Sequence, residues 1–124
     1  ITAGRYQDAR VDPENLVIKV KEKSGEWREA TQLSHGTAEQ IYLLLRVALV
    51  KYLTQPQETC PLILDDVTVQ SDSTRTRAIL DTLLALSEER QVIVFSQEDE
   101  VLEWARENLH EPAHSLVRLN PIPV

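Results

Sequence analysis

The residues of this chain that could do chemistry begin with two adjacent aspartates at the end of an apolar run. Residues 61–64 lead directly into Asp65 and Asp66. A short continuous apolar run predicts a strand buried on both faces, as in parallel sheets, whose ligands bind beyond the carboxyl ends of the strands. Two carboxylates there repel each other unless a cation, typically a divalent metal ion, lies beside them. The alternative is an aspartate-rich turn without a ligand.

A second candidate is the segment Ser34-His35-Gly36-Thr37, which comes directly before a long helical pattern. Ser34 or Thr37 can cap the start of that helix. Backbone N–H groups and the positive end of the helix dipole would converge there, and Gly36 would let a phosphate approach the backbone. Capping of the helix alone explains the same residues without a ligand.

Two further polar residues follow predicted elements. Gln97 comes directly after the apolar run 91–96, which predicts a second buried strand. Its side chain would then lie at the same edge of the sheet as the two aspartates. Asp72 lies in segment 70–73, whose composition predicts the N-cap of the next helix. Both residues have an alternative without a ligand. Gln97 can be a solvated loop residue, and Asp72 can cap the helix and nothing more.

The elements that must position these residues alternate between strand and helix. Apolar residues recur every three or four positions in three segments, which predicts amphipathic helices. These segments are 41–52, 79–86 and 101–109, and strands are predicted at 62–65, 91–96 and 115–119. Such alternation predicts right-handed βαβ units and a parallel sheet. Residues 54–59 form the connector between the first helix and its following strand.

The first quarter of the chain has a different pattern. Residues 11–32 predict an antiparallel hairpin that turns at Gly25, and residues 1–10 predict the end of a preceding helix or coiled coil, with Gly4 at its C-cap. The expected fold is therefore α/β, a mainly parallel sheet flanked by helices with an N-terminal antiparallel hairpin. A length of 124 residues fits one domain, 1–124.

Composition and charge exclude some functions. A net charge of −7 argues against this segment as the main nucleic-acid surface. The longest apolar stretch, 41–53, contains Arg46 and Lys51 and is too short to span a membrane, and no signal peptide is visible. The lone Cys60 predicts a packed thiol in a reduced compartment. A cytoplasmic protein is expected.

The order of these segments resembles the C-terminal half of an ABC-class ATPase head with a P-loop NTPase fold. Residues 33–37, Leu-Ser-His-Gly-Thr, resemble the signature motif, residues 62–66 the Walker B strand with its following acid, and residues 69–72 the D-loop. Within that class, the hairpin and the run 39–43 are most similar to the SMC-like ATPases of chromosome segregation and double-strand-break repair. The resemblance covers about residues 4–119 and makes residues 33–124 the signature, Walker B, D-loop and switch-loop core.

The resemblance implies catalytic and metal roles for three residues. Asp65 would hold Mg²⁺, mostly through water, and Asp66 would orient or deprotonate the attacking water. Gln97 stands where the switch histidine of the family would stand. Phosphoryl transfer is mainly positioning and charge neutralisation, which agrees with two acids at a sheet edge.

The resemblance also implies how ATP is bound. In this family the two ends of one polypeptide form each head, and two heads enclose two ATP molecules. Ser34, His35, Gly36 and Thr37 would clamp the γ-phosphate of the ATP held by the opposite head, and Asp72 would couple the two sites. The implied partners are the N-terminal lobe of the same polypeptide, a second head in a homodimer, and DNA through the parent protein, with no membrane.

One motif of the family is absent from the chain. Gly-x-x-x-x-Gly-Lys-[Ser/Thr] does not occur, because the only glycines are Gly4, Gly25 and Gly36. This segment alone is therefore expected to bind ATP poorly and not to hydrolyse it. The missing loop is expected in an N-terminal lobe, across a coiled coil that would end near residue 1. The parent is expected to act in DNA repair, recombination or chromosome maintenance, in a nucleoid-associated location.

Three departures from the family pattern predict slow turnover. Asp66 is one methylene shorter than the usual glutamate, Gln97 cannot transfer a proton as histidine does, and His35 replaces a glycine of the signature. They also keep a rival reading open, in which a non-hydrolytic interaction module retains the ATPase-like fold and docks a partner on its acidic face. A third reading, a receiver-like phosphoacceptor, does not explain the capped helix at residue 34.

Overall fold

The structure is a computed structural model that describes residues 4–53 and 60–119. Its elements follow one another as strands, then alternating helices and strands. In chain order they are β1 (Tyr6–Val11), β2 (Ile18–Glu22), β3 (Trp27–Glu29), a short 3-10 helix (Ala30–Gln32), α1 (His35–Leu53), β4 (Leu62–Asp65), α2 (Ser73–Leu86), β5 (Val92–Phe95) and α3 (Asp99–Asn108).

The first three strands form an antiparallel sheet in the order β1-β2-β3. The predicted hairpin is β2 and β3, and Gly25 supplies the positive φ of 89° that its turn requires. Ile18 and Val20 alternate along β2 on one buried face. They pack with Ala30 and with Ile41 of α1, so this sheet rests on the first half of that helix.

Strand β1 corrects the prediction for the start of the chain. Residues 6–10 were expected to end a helix, but they belong to β1 and pair with β2 in a register that sets Ala9 opposite Val20. The first three residues of the predicted helix end lie outside the described residues. The physical reason is that β2 offers a free edge of backbone N–H and C=O groups, and pairing there depends on a distant segment rather than on local pattern.

Strands β4 and β5 form a parallel pair, with Leu64 opposite Val94. Leu62 and Leu64 point into the main core, and Ile63 between them is exposed. Leu43 of α1 and residues of α2 complete that core, whose buried members are Leu43, Leu62, Leu64, Ile79, Leu83 and Leu86. This pair and its helices position the ends of β4 and β5 side by side.

The mixed α/β class with an antiparallel sheet is confirmed, but a mainly parallel sheet is not what the structure has. Three described strands are antiparallel and two are parallel. Residues 115–119, predicted as a strand, form no strand, and Leu116, Val117 and Leu119 are exposed. A β-favouring sequence becomes a strand only where a sheet edge receives it, and in the described residues no edge does.

The prediction for α3 is confirmed, and the prediction for Cys60 is wrong. Helix α3 forms as expected and packs on α2 through Leu80, Trp104 and Ala105. Cys60 was expected to be packed but is exposed, because it lies before the start of β4 rather than within it. The predicted connector 54–59 lies outside the described residues. Within the described ranges, no helix combines the length and apolar character needed to cross a membrane.

Candidate functional site

One groove brings together three of the residues singled out from the sequence. It has a volume of about 580 Å³ and lies between the start of α1, the 3-10 helix and the end of β4. His35 contributes from the first turn of α1, and Asp65 and Asp66 contribute from the end of β4. Further lining residues on α1 are Ala38, Glu39, Tyr42, Leu43 and Arg46. The groove therefore joins the signature-like segment to the Walker B-like segment.

The backbone turns sharply between the two aspartates. Asp65 is the last residue of β4 and lies opposite Phe95 of β5. Asp66 has a φ of 48°, in the left-handed region that aspartate tolerates better than most residues. Its N–H donates to the carbonyl oxygen of Phe95 at 3.0 Å, which fixes this turn to the end of β5. A non-glycine residue held in this region is often found at functional sites.

The two carboxylates suit a hydrated magnesium ion better than a metal held by protein alone. Within the described residues, neither Asp65 nor Asp66 has a side-chain hydrogen bond or ion pair, so both are free to accept. In those same residues no group of three or more His, Cys, Asp or Glu side chains could hold a metal ion. Mg²⁺ usually keeps several waters and takes one or two carboxylates together with substrate phosphates. The donor set fits that arrangement.

The start of α1 satisfies several of its polar groups locally. The hydroxyls of Ser34 and Thr37 hydrogen-bond to each other at 2.8 Å, and the N–H of Ala38 donates to the carbonyl oxygen of Ser34. The Nδ1 atom of His35 lies 3.4 Å from a carboxylate oxygen of Glu39, on the exposed side of the helix. The two hydroxyls bond to each other, and no bond from a backbone N–H to either hydroxyl is present among the described residues, so side-chain capping and phosphate binding here stay predictions.

Gly36 is required by protein packing. A Cβ atom at this position would lie 2.4 Å from the backbone carbonyl oxygen of Gln70, closer than real Cβ contacts allow. The loop between β4 and α2 therefore sits directly on the first turn of α1. This is a different reason for glycine from the predicted one, which was the approach of a phosphate.

Asp72 and Gln97 lie outside the groove lining. Asp72 is the N-cap of α2, where its Oδ1 accepts from the N–H of Arg75 at 3.0 Å and its other oxygen pairs with the guanidinium of that residue. Gln97 is exposed and follows β5 by two residues. The parallel register puts Gln97 at the same edge of the sheet as Asp65. The catalytic and coupling roles of the two residues stay predictions.

The sequence reasoning missed three groups of residues. Glu39, Tyr42 and Arg46 line the groove with His35, and their spacing of three and four along α1 could have revealed them. Gln40, only 2% exposed, has an amide nitrogen without a hydrogen-bond partner among the described residues. The third group is a pair, Thr68 and Glu98, joined by a hydrogen bond from the threonine hydroxyl to the carboxylate. No local pattern marks that pair.

The chain was compared with protein-family models, curated proteins and solved structures. No protein-family model matches the chain. Over 102 residues, or 82% of its length, the chain is 34% identical to an uncharacterized protein, YhaN, of Bacillus subtilis (strain 168), of which it spans 10%. It also resembles a solved structure from work on the structural biochemistry of ATP-driven dimerization and DNA stimulated activation of SMC ATPases. That likeness has a TM-score of 0.63 at 22% identity and covers 79% of this chain and 62% of the other.

The structural likeness shows the fold. The chain is folded like an SMC ATPase over about four fifths of its length, so the fold relationship implied by the sequence resemblance is confirmed. The chain spans less than two thirds of the solved structure and about a tenth of the curated relative. The lobe to which it corresponds, its activity and its partners are therefore matters of proposal.

Proposed function

We propose that this chain is the C-terminal lobe of an SMC-like, ATP-hydrolysing head. The observation that carries the proposal is the end of β4, where Asp65 and Asp66 line the groove with carboxylates that have no partner among the described residues. The SMC-like fold supports it, because the segments that line the groove are those that resemble the signature and Walker B motifs. ATP and Mg²⁺ are the proposed cofactors.

Three residues at the carboxyl edge of the parallel pair have tasks in this proposal. The Asp65 carboxylate would hold hydrated Mg²⁺, and the ion would supply positive charge for phosphoryl transfer. Asp66 orients the attacking water and accepts its proton, and its backbone turn is fixed by the N–H bond to Phe95. Gln97, at the same edge of the sheet, donates its amide N–H to the γ-phosphate.

The start of α1 serves the opposite head of a dimer. Ser34, His35, Gly36 and Thr37 present the N-terminal end of the helix to the γ-phosphate of an ATP bound there, where the helix dipole favours negative charge. Asp72 then relates one site to the other across the dimer. The ATP-driven dimerization of the SMC ATPase with a similar fold supports this part of the proposal.

The remaining parts of the proposal concern the whole protein. An N-terminal lobe of the same polypeptide supplies the Walker A loop, and a second head completes a homodimer. The parent acts on DNA in repair, recombination or chromosome maintenance, in the cytoplasm and associated with the nucleoid. The DNA-stimulated activation of the SMC ATPase with a similar fold supports the link to DNA. Activity by this chain alone is not expected.

Multiple-turnover ATP hydrolysis by the complete polypeptide tests the proposal. Replacing Asp66 with Asn should lower kcat by about 10²–10⁴-fold, the usual effect of losing a general base, and Asp65→Asn should abolish magnesium-dependent turnover. Asp66→Glu should raise the slow parental rate, because the longer side chain reaches the water more easily. Glu103→Gln, the same class of change at an exposed position of α3, is the control. Unchanged turnover in Asp65→Asn would refute the proposal.

A second function is favoured by the self-contained start of α1. Ser34 is bonded to Thr37 and His35 is paired with Glu39, so these groups already have partners within the chain. An interaction module that keeps the ATPase-like fold and docks a partner without hydrolysis would show ATP-independent association. It would also show no turnover in the parent or in Asp66→Glu.

A further inference from the structure

We infer that Thr68 and Glu98 are positioning residues that hold the loops after β4 and β5 in one arrangement and thereby set Asp66 and Gln97 for hydrolysis. We call this pair the Thr68–Glu98 clasp. The inference rests on the proposed function, because Asp66 and Gln97 are the residues that it positions. Thr68 is buried and the Glu98 carboxylate is bonded to it, so the two residues act through the loops that they join.

The clasp joins two segments that are 30 residues apart in the chain. Thr68 lies in the loop between β4 and α2 and is only 1% exposed. Its hydroxyl donates to a carboxylate oxygen of Glu98, the residue before α3. A hydrogen bond to a charged acceptor is stronger than one between neutral groups, particularly where one partner is removed from water.

The Glu98 side chain bonds to Thr68 and not to the helix that it precedes. Glu98 occupies the N-cap position of α3 but accepts no hydrogen bond from the first turn, and glutamate is not among the residues that favour that position. Its carboxylate contacts Thr68 instead. The first turn of α3 keeps Asp99 and Glu100 for its dipole. The Glu98 side chain therefore links the two loops and does not cap its own helix.

Backbone bonds fasten each loop around the clasp. Asp66 donates its N–H to Phe95, and Ser71 donates its N–H to the carbonyl oxygen of Thr68 at 2.8 Å. On the other loop, the N–H of Glu98 donates to the hydroxyl of Ser96 at 3.2 Å. These bonds make one connected unit of the turn at Asp66 and the segment 96–98.

The clasp matters most for Gln97. This residue lies directly before Glu98, and within the described residues its side chain has no hydrogen-bond partner. The clasp joins the residue next to Gln97 to the loop after β4, whereas the bond between the Glu98 N–H and the Ser96 hydroxyl stays within one loop. A small change of the loop would move a phosphate-binding amide out of reach, which is costly in reactions that depend on positioning.

The test uses the complete polypeptide with matched changes at Thr68. Thr68→Val keeps the shape and removes the hydroxyl, whereas Thr68→Ser keeps the hydroxyl. Thr68→Val should lower kcat by about tenfold or more with the KM for ATP changed less than about twofold, and Thr68→Ser should retain at least about a third of the parental kcat. Thr82→Val removes a hydroxyl that bonds within α2 and is the control. Parental kcat in Thr68→Val would overturn the inference.

Amide hydrogen exchange gives a readout that does not depend on hydrolysis. In Thr68→Val the amides of residues 96–98 should exchange faster than in the parent, although they are distant in sequence, and in Thr82→Val they should not. Unchanged exchange at residues 96–98 in Thr68→Val would overturn the inference, whatever the rate of ATP hydrolysis. Conversely, a parent that does not hydrolyse ATP but shows the expected exchange would refute the proposed function and leave the clasp standing as a structural unit.

Discussion

Gly36 illustrates how one residue holds two segments of the site together. The carbonyl oxygen of Gln70 occupies the space that a Cβ atom of Gly36 would need. Gly36 belongs to the signature-like segment and Gln70 to the D-loop-like segment, so their contact relates the two motifs to each other. A glycine here acts through close approach, and its φ is not in the left-handed region.

Replacing Gly36 with alanine should therefore destabilise the chain. Alanine inside a helix normally stabilises by about 0.5–1 kcal/mol relative to glycine. The clash with Gln70 should reverse that sign and cost about 1–3 kcal/mol, as overpacking generally does. Urea unfolding of the 124-residue chain measures the change. Ala48→Gly, at an exposed position of the same helix, is the control and should cost about 1 kcal/mol. A more stable Gly36→Ala would contradict the contact.

At the residue scale, the positions of the two aspartates were predictable from the sequence, and the burial of individual polar residues was not. Asp65 and Asp66 were predicted at the carboxyl end of a parallel strand, where the structure has them, but their sharing a groove with His35 was not predicted. Gln40 and Thr68 could not be identified, because both are polar residues that are buried by contacts distant in sequence. Their partners, or the lack of one, depend on the three-dimensional arrangement.

At the scale of elements, an ion pair joins the end of α1 to the segment after α2. The Nζ atom of Lys51 lies 2.8 Å from a carboxylate oxygen of Glu89. The hydrogen bond from Lys51, and after it the positive charge of Lys51, hold the pKa of Glu89 below its ordinary value of 4.5. Both side chains are exposed, so the contribution is small and screened by salt.

This ion pair predicts a pH-dependent difference in stability. A carboxyl group whose pKa is lower in the folded state stabilises the fold above its unfolded pKa, and that stabilisation is lost as the pH falls through the lowered pKa. Glu89→Gln should thus be less stable than the parent at pH 7, and the difference should shrink as the pH falls below 4.5 and vanish once Glu89 is also protonated in the folded state. Urea unfolding at both pH values measures it.

The neighbouring glutamate supplies the control for that experiment. Glu88→Gln makes the same change beside Glu89, at a residue with no ion pair among the described residues. It should show no pH-dependent difference from the parent. A Glu89→Gln variant whose deficit persists unchanged at low pH, or is insensitive to salt, would mean that the ion pair does not stabilise the fold.

Elements with strong local patterns were predictable, and elements made by distant pairing were not. The three helices and strands β2, β4 and β5 form where apolar periodicity and turn residues predict them. Strand β1 has a polar sequence and forms because the edge of β2 is available. Residues 115–119 have a strand-like sequence but remain unpaired in the described residues. Whether each segment forms a strand depends on pairing with the edge of a sheet, and a local sequence pattern does not show whether such an edge is available.

At the scale of the whole molecule, the parallel pair has one bare face. Leu64 is 3% exposed, whereas the adjacent Ile63 is 63% exposed, and Phe95 at the end of β5 is also exposed. Parallel sheets are ordinarily covered on both faces. The proposal that another lobe of the same polypeptide completes the head accounts for this face, because that lobe would cover it.

Alanine substitutions at these two adjacent positions test whether the bare face is covered. In the 124-residue chain, Leu64→Ala should cost about 2–5 kcal/mol and Ile63→Ala less than about 1 kcal/mol. In the complete polypeptide, Ile63→Ala should cost more than about 2 kcal/mol, because its side chain would then be buried. Denaturant unfolding of both proteins compares the two changes. An equally small cost of Ile63→Ala in both would argue that no lobe packs on this face.

The most direct test of the split-head proposal is ATP hydrolysis by the 124-residue chain alone, by the N-terminal segment of the parent alone, and by the two mixed. The proposal predicts turnover only in the mixture, and its loss when the chain carries Asp65→Asn. Turnover by the 124-residue chain alone would contradict it, because the chain lacks a Walker A loop. Stable association of the two pieces without any turnover would contradict it as well, and would favour the interaction module.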